Sequence, residues 1–197
     1  MAVRKASLTS VLRWSQRGLF TGAALMLGYC GFAVADTWLF QHRESDYLES
    51  LKQPDSSVPS VLAPAVGPDG LIGRIEIQRL GVSAVVMEGT RHRNLRRAAG
   101  HILGTALPGQ TGNVGIAGHR DTFFRPLRNI QRDDIILIAT ARGEFRYRVV
   151  TTAVVKPDNL TVLNSNGNEI LTLVTCYPFY FVGSAPDRFI VRAERVI

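Results

Sequence analysis

The sequence predicts an all-β domain of short strands, a barrel or a sandwich, carried behind a single N-terminal membrane helix. Three observations predict it. Gly18 to Ala35 is an uncharged run of 18 residues, the length a helix needs to cross a hydrocarbon core. Four prolines, Pro54, Pro59, Pro64 and Pro68, crowd the stretch from Gln53 to Gly70 and mark a semi-extended spacer. Beyond Leu71, apolar and polar residues alternate with period two, as they do along half-buried strands.

The membrane segment also explains the charge. The chain has 197 residues, with 23 Lys or Arg against 16 Asp or Glu. Arg4, Lys5, Arg13 and Arg17 precede the apolar run, while Asp36, Glu44, Asp46 and Glu49 follow it. By the positive-inside rule the N-terminus stays in the cytoplasm and the rest is exported. Trp14 and Trp38 flank the run, where amphipathic rings sit at the two lipid–water boundaries. A cleaved signal peptide is the competing reading, because Ala33-Val34-Ala35 has the small-x-small form of a cleavage site. The length of the run favours an uncleaved anchor. Setting aside the four N-terminal cations leaves 19 basic against 16 acidic side chains, so the excess reflects topology and no nucleic-acid partner is expected. Residues 1–17 are read as cytoplasmic, 18–35 as the anchor, 36–70 as stalk and linker with a helical extension to residue 52, and 71–197 as the folded domain.

Within that domain the strands follow in order. Ile75 and Ile77 alternate with Arg74, Glu76 and Gln78, and Phe145, Tyr147 and Val149 alternate with Glu144, Arg146 and Arg148, an antiparallel signature. Further strands are expected at Val82–Met87, Asn113–Ala117, Ile135–Thr140, Glu169–Cys176 and Arg188–Val196. One short helix is expected at His92–Ala99. The basic cluster from Arg91 to Arg97 on it reads as a solvated face, with contact to an anionic surface polymer as the alternative.

Apolar residues make up 46% of the chain and charged residues 20%, an ordinary globular composition. Only two cysteines occur, Cys30 and Cys176, which excludes disulfide frameworks, zinc fingers and iron–sulfur sites. Cys30 lies in the membrane run and cannot bridge to Cys176. Cys176 closes the apolar stretch Ile170-Leu171-Thr172-Leu173-Val174-Thr175, and Pro178 stops regular pairing two residues later. An exported, unpaired thiol at a strand end is either buried and inert or kept for reactivity.

A reactive cysteine needs a base or a cation to supply thiolate, and imidazole serves as either. His119 follows the small residues Gly115, Ala117 and Gly118, which permit close approach of a neighbour. His42 and His92 are expected to be solvated. His101 is a competitor whose bland reading is a turn histidine satisfied by backbone. Arg188 lies beyond the eleven residues from Tyr177 to Asp187, so a hairpin would bring it beside Cys176. A guanidinium there offers fixed donors to an oxyanion and has no lone pair for base duty.

These residues fall in ordered motifs. Thr172-Leu173-Val174-Thr175-Cys176 resembles the TLxTC signature of sortases. Thr105-Ala106-Leu107-Pro108-Gly109, with Gly112-Asn113 and Ala117-Gly118-His119-Arg120, resembles their TALPGxxGN…AGHR block, and Arg188 falls before the last strand as the family's arginine does. Tyr177-Pro178-Phe179 and Ala185-Pro186 are most similar to class D. Gly115 and Leu103 depart from the family pattern, which has a branched aliphatic residue and a proline there. The resemblance implies an eight-stranded barrel with short helices and a Cys–His–Arg transpeptidase site. Cys176 would attack the threonine carbonyl of an LPxT-type sorting signal on a surface protein. A thioester would form, and an amine of cell wall or pilin would resolve it. His119 would be the acid–base, Arg188 the substrate and oxyanion ligand, and Thr175 a contributor to the oxyanion environment. No metal and no cofactor is expected. An L,D-transpeptidase of peptidoglycan is the alternative enzyme, disfavoured because Val174-Thr175-Cys176 is unlike a Ser-x-Gly-Cys segment. A non-catalytic surface-binding barrel is the alternative of a different class.

Overall fold

The computed structural model describes residues 2–52, 65–67, 69–181 and 183–196, without the side chains of 2–10, 44, 45 and 47–52. The proline spacer read over Gln53 to Gly70 lies largely outside the described residues. The chain forms two compact units, residues 1–40 and 41–197.

Helix α1 (Ala2–Lys52) forms the first unit through Phe40 and continues into the second. Its segment from Val11 to Arg43 is long and apolar enough to cross a membrane. Leu19, Phe20, Leu25, Met26, Leu27 and Phe32 all stand exposed along it. At 1.5 Å per residue the 18 uncharged residues span about 27 Å, close to the thickness of a bilayer's hydrocarbon core.

The second unit contains eight strands: β1 (Leu71–Ile77), β2 (Val82–Glu88), β3 (Ala99–His101), β4 (Gly112–Ala117), β5 (Ile135–Thr140), β6 (Gly143–Val155), β7 (Glu169–Tyr177) and β8 (Asp187–Val196). They close into a barrel in the order β1-β2-β3-β4-β7-β8-β6-β5, with β5 pairing back onto β1. Alternate residues turn inward. Ile75, Ile77, Ala84, Val86, Val114, Ile116, Ile136, Ile138, Tyr147, Val149, Leu171, Leu173, Val191 and Ala193 share one interior core. Each fully buried large aliphatic side chain contributes roughly 1.5–3 kcal/mol.

The antiparallel expectation needs correction at two ladders. β2 pairs with β3 in parallel, and so does β4 with β7. Parallel neighbours cannot be joined by a tight hairpin. Residues 118–168 make the crossover between β4 and β7 and contain β5 and β6 on the way. The expected helix at His92–Ala99 is also shorter. Helix α2 spans only His92–Leu95, and Ala99 opens β3. The register fixes this, because Ala99, Gly100 and His101 are drawn into pairing with Val86, Met87 and Glu88.

Candidate active site

β7 carries the thiol. Leu171 and Leu173 belong to the barrel interior, so Thr175 shares their inward face and Val174 and Cys176 share the outward one. Cys176 is a free, partly buried thiol. The chain leaves the sheet two residues later at Pro178.

Arg188 lies directly across from Cys176 in the antiparallel β7–β8 ladder. Directly opposed residues project to the same face with Cβ atoms about 5 Å apart. The guanidinium donates through Nη1 to the carbonyls of Ala185 (3.2 Å) and Asp187 (2.9 Å). The Asp187 carboxylate accepts from Lys156 Nζ at 2.8 Å, a bond that holds the ammonium's pKa above its usual value and pins the start of β8 to the end of β6.

His119 arrives on the other side. In the parallel β4–β7 ladder Ala117 pairs with Val174, and the Gly118 N–H donates to the Val174 carbonyl at 3.0 Å. Adjacent strands are about 4.8 Å apart; Cys176 and Arg188 are a directly paired position, and His119 follows the end of β4 on the other side of the cysteine strand. All three are partly buried, as are Ala117 and Val174.

Thr175 is 2% exposed, and its hydroxyl donates to the Gly118 carbonyl at 2.8 Å. It therefore ties the residue before Cys176 to the residue before His119. Below this level the outward face is covered. Ile102 and Thr105 pack over Gly115, filling the space that a branched side chain at that departure from the motif would occupy. The Asn113 amide donates to the carbonyls of Val162 and Asn164, and its oxygen accepts from Thr172 Oγ1 at 2.8 Å. The open end of the face is the end that holds the cysteine.

The rival histidines separate cleanly. His101 is 2% exposed and lies in β3, not in a turn. Its ring nitrogens meet Glu88 Oε2 at 3.1 Å, the Ala106 carbonyl at 2.9 Å and Thr105 Oγ1 at 3.0 Å. It is a satisfied core residue. His42 is exposed on α1. His92 is exposed as expected, yet its ring stands edge-on to His119 with centroids 6.2 Å apart and planes at 89°. Sequence spacing carried no signal for that contact, which depends on how α2 folds over the end of β4. Among the described residues no three His, Cys, Asp or Glu side chains converge into a metal-binding group.

A sortase-domain family model matches residues 75–196, well over half of the chain. The chain belongs to the sortase family. It is 34% identical over 125 residues to Sortase D of Bacillus subtilis, an alignment covering 63% of this chain and 63% of that relative. The solved structure of a Sortase D5 transpeptidase from Clostridium perfringens superposes with a TM-score of 0.67 and 30% identity, over 80% of this chain and 99% of the other. Sortase C-1 from Actinomyces oris gives a TM-score of 0.63 at 27% identity, covering 79% and 97%. The barrel is thus the sortase barrel, and the motif residues of this sortase lie on β4, β7 and β8 or in the segments that flank β4.

Proposed function

We propose that this sortase is a membrane-anchored cysteine transpeptidase in which Cys176, His119 and Arg188 carry the reaction. The observation that supports this reading best is the pairing of Cys176 with Arg188 across β7 and β8, with the chain leaving β4 toward His119 hydrogen-bonded to the cysteine strand at Val174. The Cys176 thiolate attacks the threonine carbonyl of an LPxT-type signal and forms a carbon–sulfur bond. Arg188 donates N–H groups to the oxyanion of the tetrahedral intermediate. His119, as imidazolium, gives its proton to the departing amine as the amide C–N bond breaks. The thioester keeps the energy of the cleaved amide, so no nucleotide is needed outside the cell. An incoming amine then attacks the thioester carbonyl, loses its proton to His119, and expels the thiolate. Thr175 acts as a positioning residue, holding the β4 and β7 ends together through Gly118.

Incubation of the detergent-solubilised chain with an LPxT-type peptide and an amine tests this. Mass spectrometry is expected to show the peptide cut after threonine, joined to the amine, and trapped as an acyl adduct on Cys176. Cys176→Ala is expected to abolish all three products. Undiminished turnover in that variant ends the proposal.

The arrangement of charges around α1 supports an N-terminus in the cytoplasm and a catalytic barrel outside it. Protease added to intact protoplasts is expected to degrade the barrel and spare an N-terminal tag. Protection of the barrel would reverse the topology.

A further inference from the structure

We propose that Arg120 is a positioning residue that clasps the β7–β8 loop to the segment carrying His119. The loop runs from Pro178 to Pro186 and joins the cysteine strand to the arginine strand. Arg120 follows His119 immediately, and its Nη2 donates to the carbonyls of Phe181 (2.6 Å) and Gly183 (2.9 Å). Its Cζ also lies 5.9 Å from the centroid of the Phe181 ring, within cation–π range. A second arginine of the same segment, Arg128, stands 5.6 Å from the Tyr180 ring centroid.

The loop needs such a hold. Its first half is anchored by Phe179, whose ring packs 5.3 Å from that of Phe189 at the edge of the core. Tyr180 and Phe181 are 76% and 45% exposed, so their rings contribute little burial. The second half carries Ala185 and leads into Asp187, the first residue of β8, and the carbonyls of these two hold the Arg188 guanidinium. Three carbonyls of the loop and that of Asp187 thus receive two guanidinium groups. Arg120 fixes the middle of the loop, and the loop in turn orients Arg188. One amino group, Nη2, reaches both carbonyls, and the planar guanidinium that carries it also meets the Phe181 ring, a combination that a lysine ammonium reproduces only in part. Arg120 is therefore assigned to orienting Arg188, with no contact of its own to the reacting bond.

This assignment rests on the proposed Cys–His–Arg chemistry for its catalytic consequence, while the clasp itself is measured without turnover. Hydrogen exchange on the full chain in detergent is expected to show amides of the 178–186 loop exchanging about tenfold faster in Arg120→Ala. The melting temperature is expected to stay within ~2 °C of the parent. Turnover of an LPxT-type peptide is expected to fall about tenfold in kcat with KM changed less than about twofold. Arg120→Lys is expected to recover part of both losses. Gly183→Ala attacks the same contact from the other side. Gly183 has φ +101°, a conformation that alanine resists, so the variant turns the acceptor carbonyl away and should reproduce the loss. The Arg120→Ala/Gly183→Ala double variant should then be no slower than the worse single variant.

Parent-like exchange in Arg120→Ala overturns the clasp. Faster exchange with unchanged kcat, or additive losses in the double variant, overturns its role in positioning. If the parent cleaves no sorting peptide, the proposed chemistry fails, and the exchange measurement still decides the clasp.

Discussion

Two histidines illustrate what a single side chain contributes. His101 and His119 both follow glycine, and both meet the chemical requirement for a base. Burial separates them, since His101 is enclosed by Glu88, Thr105 and Ala106 while His119 is only partly covered. His101→Ala would remove a ring that is 2% exposed together with its hydrogen bonds to these partners, and is expected to lower unfolding stability by about 2–3 kcal/mol. His119→Ala should leave the melting temperature nearly unchanged and reduce transpeptidation by at least ~100-fold. Thermal melts and peptide turnover on the two variants check both halves, and a stability loss in His119→Ala equal to that in His101→Ala would contradict the assignment. Gly118 makes a related point. A Cβ there would stand 2.6–2.9 Å from the ring of Phe124, which is fully buried and has no room to yield. Gly118→Ala is expected to cost about 1–3 kcal/mol and to displace the adjoining His119, so turnover should fall along with the melting temperature. The motif block made His119 legible from sequence. The edge-on contact with His92 and the grip of Arg120 were not, because both join residues that only the barrel brings together.

Elements were legible where their signal was local. The alternations around Ile75 and Tyr147 gave β1 and β6, and the apolar run ending at Cys176 gave β7. β3 escaped because three residues carry no period, and the helical pattern ahead of it ran on to Ala99. The parallel β4–β7 ladder was equally invisible, since pairing across 51 intervening residues leaves no trace in either strand alone. That ladder nonetheless sets the distance between histidine and cysteine. Its lower end is braced by Asn113 and Thr172, which bond each other and hold the 160–164 turn through the Val162 and Asn164 carbonyls. Asn113→Ala removes the three hydrogen bonds of a buried amide, one of them to the fully buried Thr172, and is expected to cost about 2–3 kcal/mol. Thr172→Val should cost about 1 kcal/mol. Because both act on one network, the double variant is expected to fall short of the sum by at least ~0.5 kcal/mol. Denaturant titrations of the four proteins measure this coupling, and strict additivity would mean that the two residues support separate parts of the sheet.

On the scale of the whole barrel, pH reads out groups far from the site. Arg79 donates to the Asp134 carboxylate through Nε and Nη2, and this bond holds the Asp134 pKa below the usual carboxylate value. A depressed folded-state pKa stabilises the barrel above the unfolded-state value near pH 4, and that stability is lost as pH falls through the lower, folded-state value. Asp134→Asn is therefore expected to melt earlier at pH 7 and to lose less stability than the parent on acidification. The alkaline limb runs the other way. Tyr147 is fully buried, and burial raises its hydroxyl pKa to about 12. Below pH 10 the phenol is neutral in both the folded and unfolded chain and contributes nothing to the pH dependence. Between about pH 10 and 12 the unfolded chain releases the proton first, so the barrel loses about 2–3 kcal/mol over that window. Tyr147→Phe keeps the ring in the core and removes the titrating group. Its stability at pH 7 is expected to match or slightly exceed that of the parent, and the difference between the two proteins should widen in favour of phenylalanine as pH rises from 10 to 12. Parallel stability curves for the two proteins across that window would show that the hydroxyl ionises as readily in the folded barrel as in the unfolded chain, and that the centre of β6 is open to water.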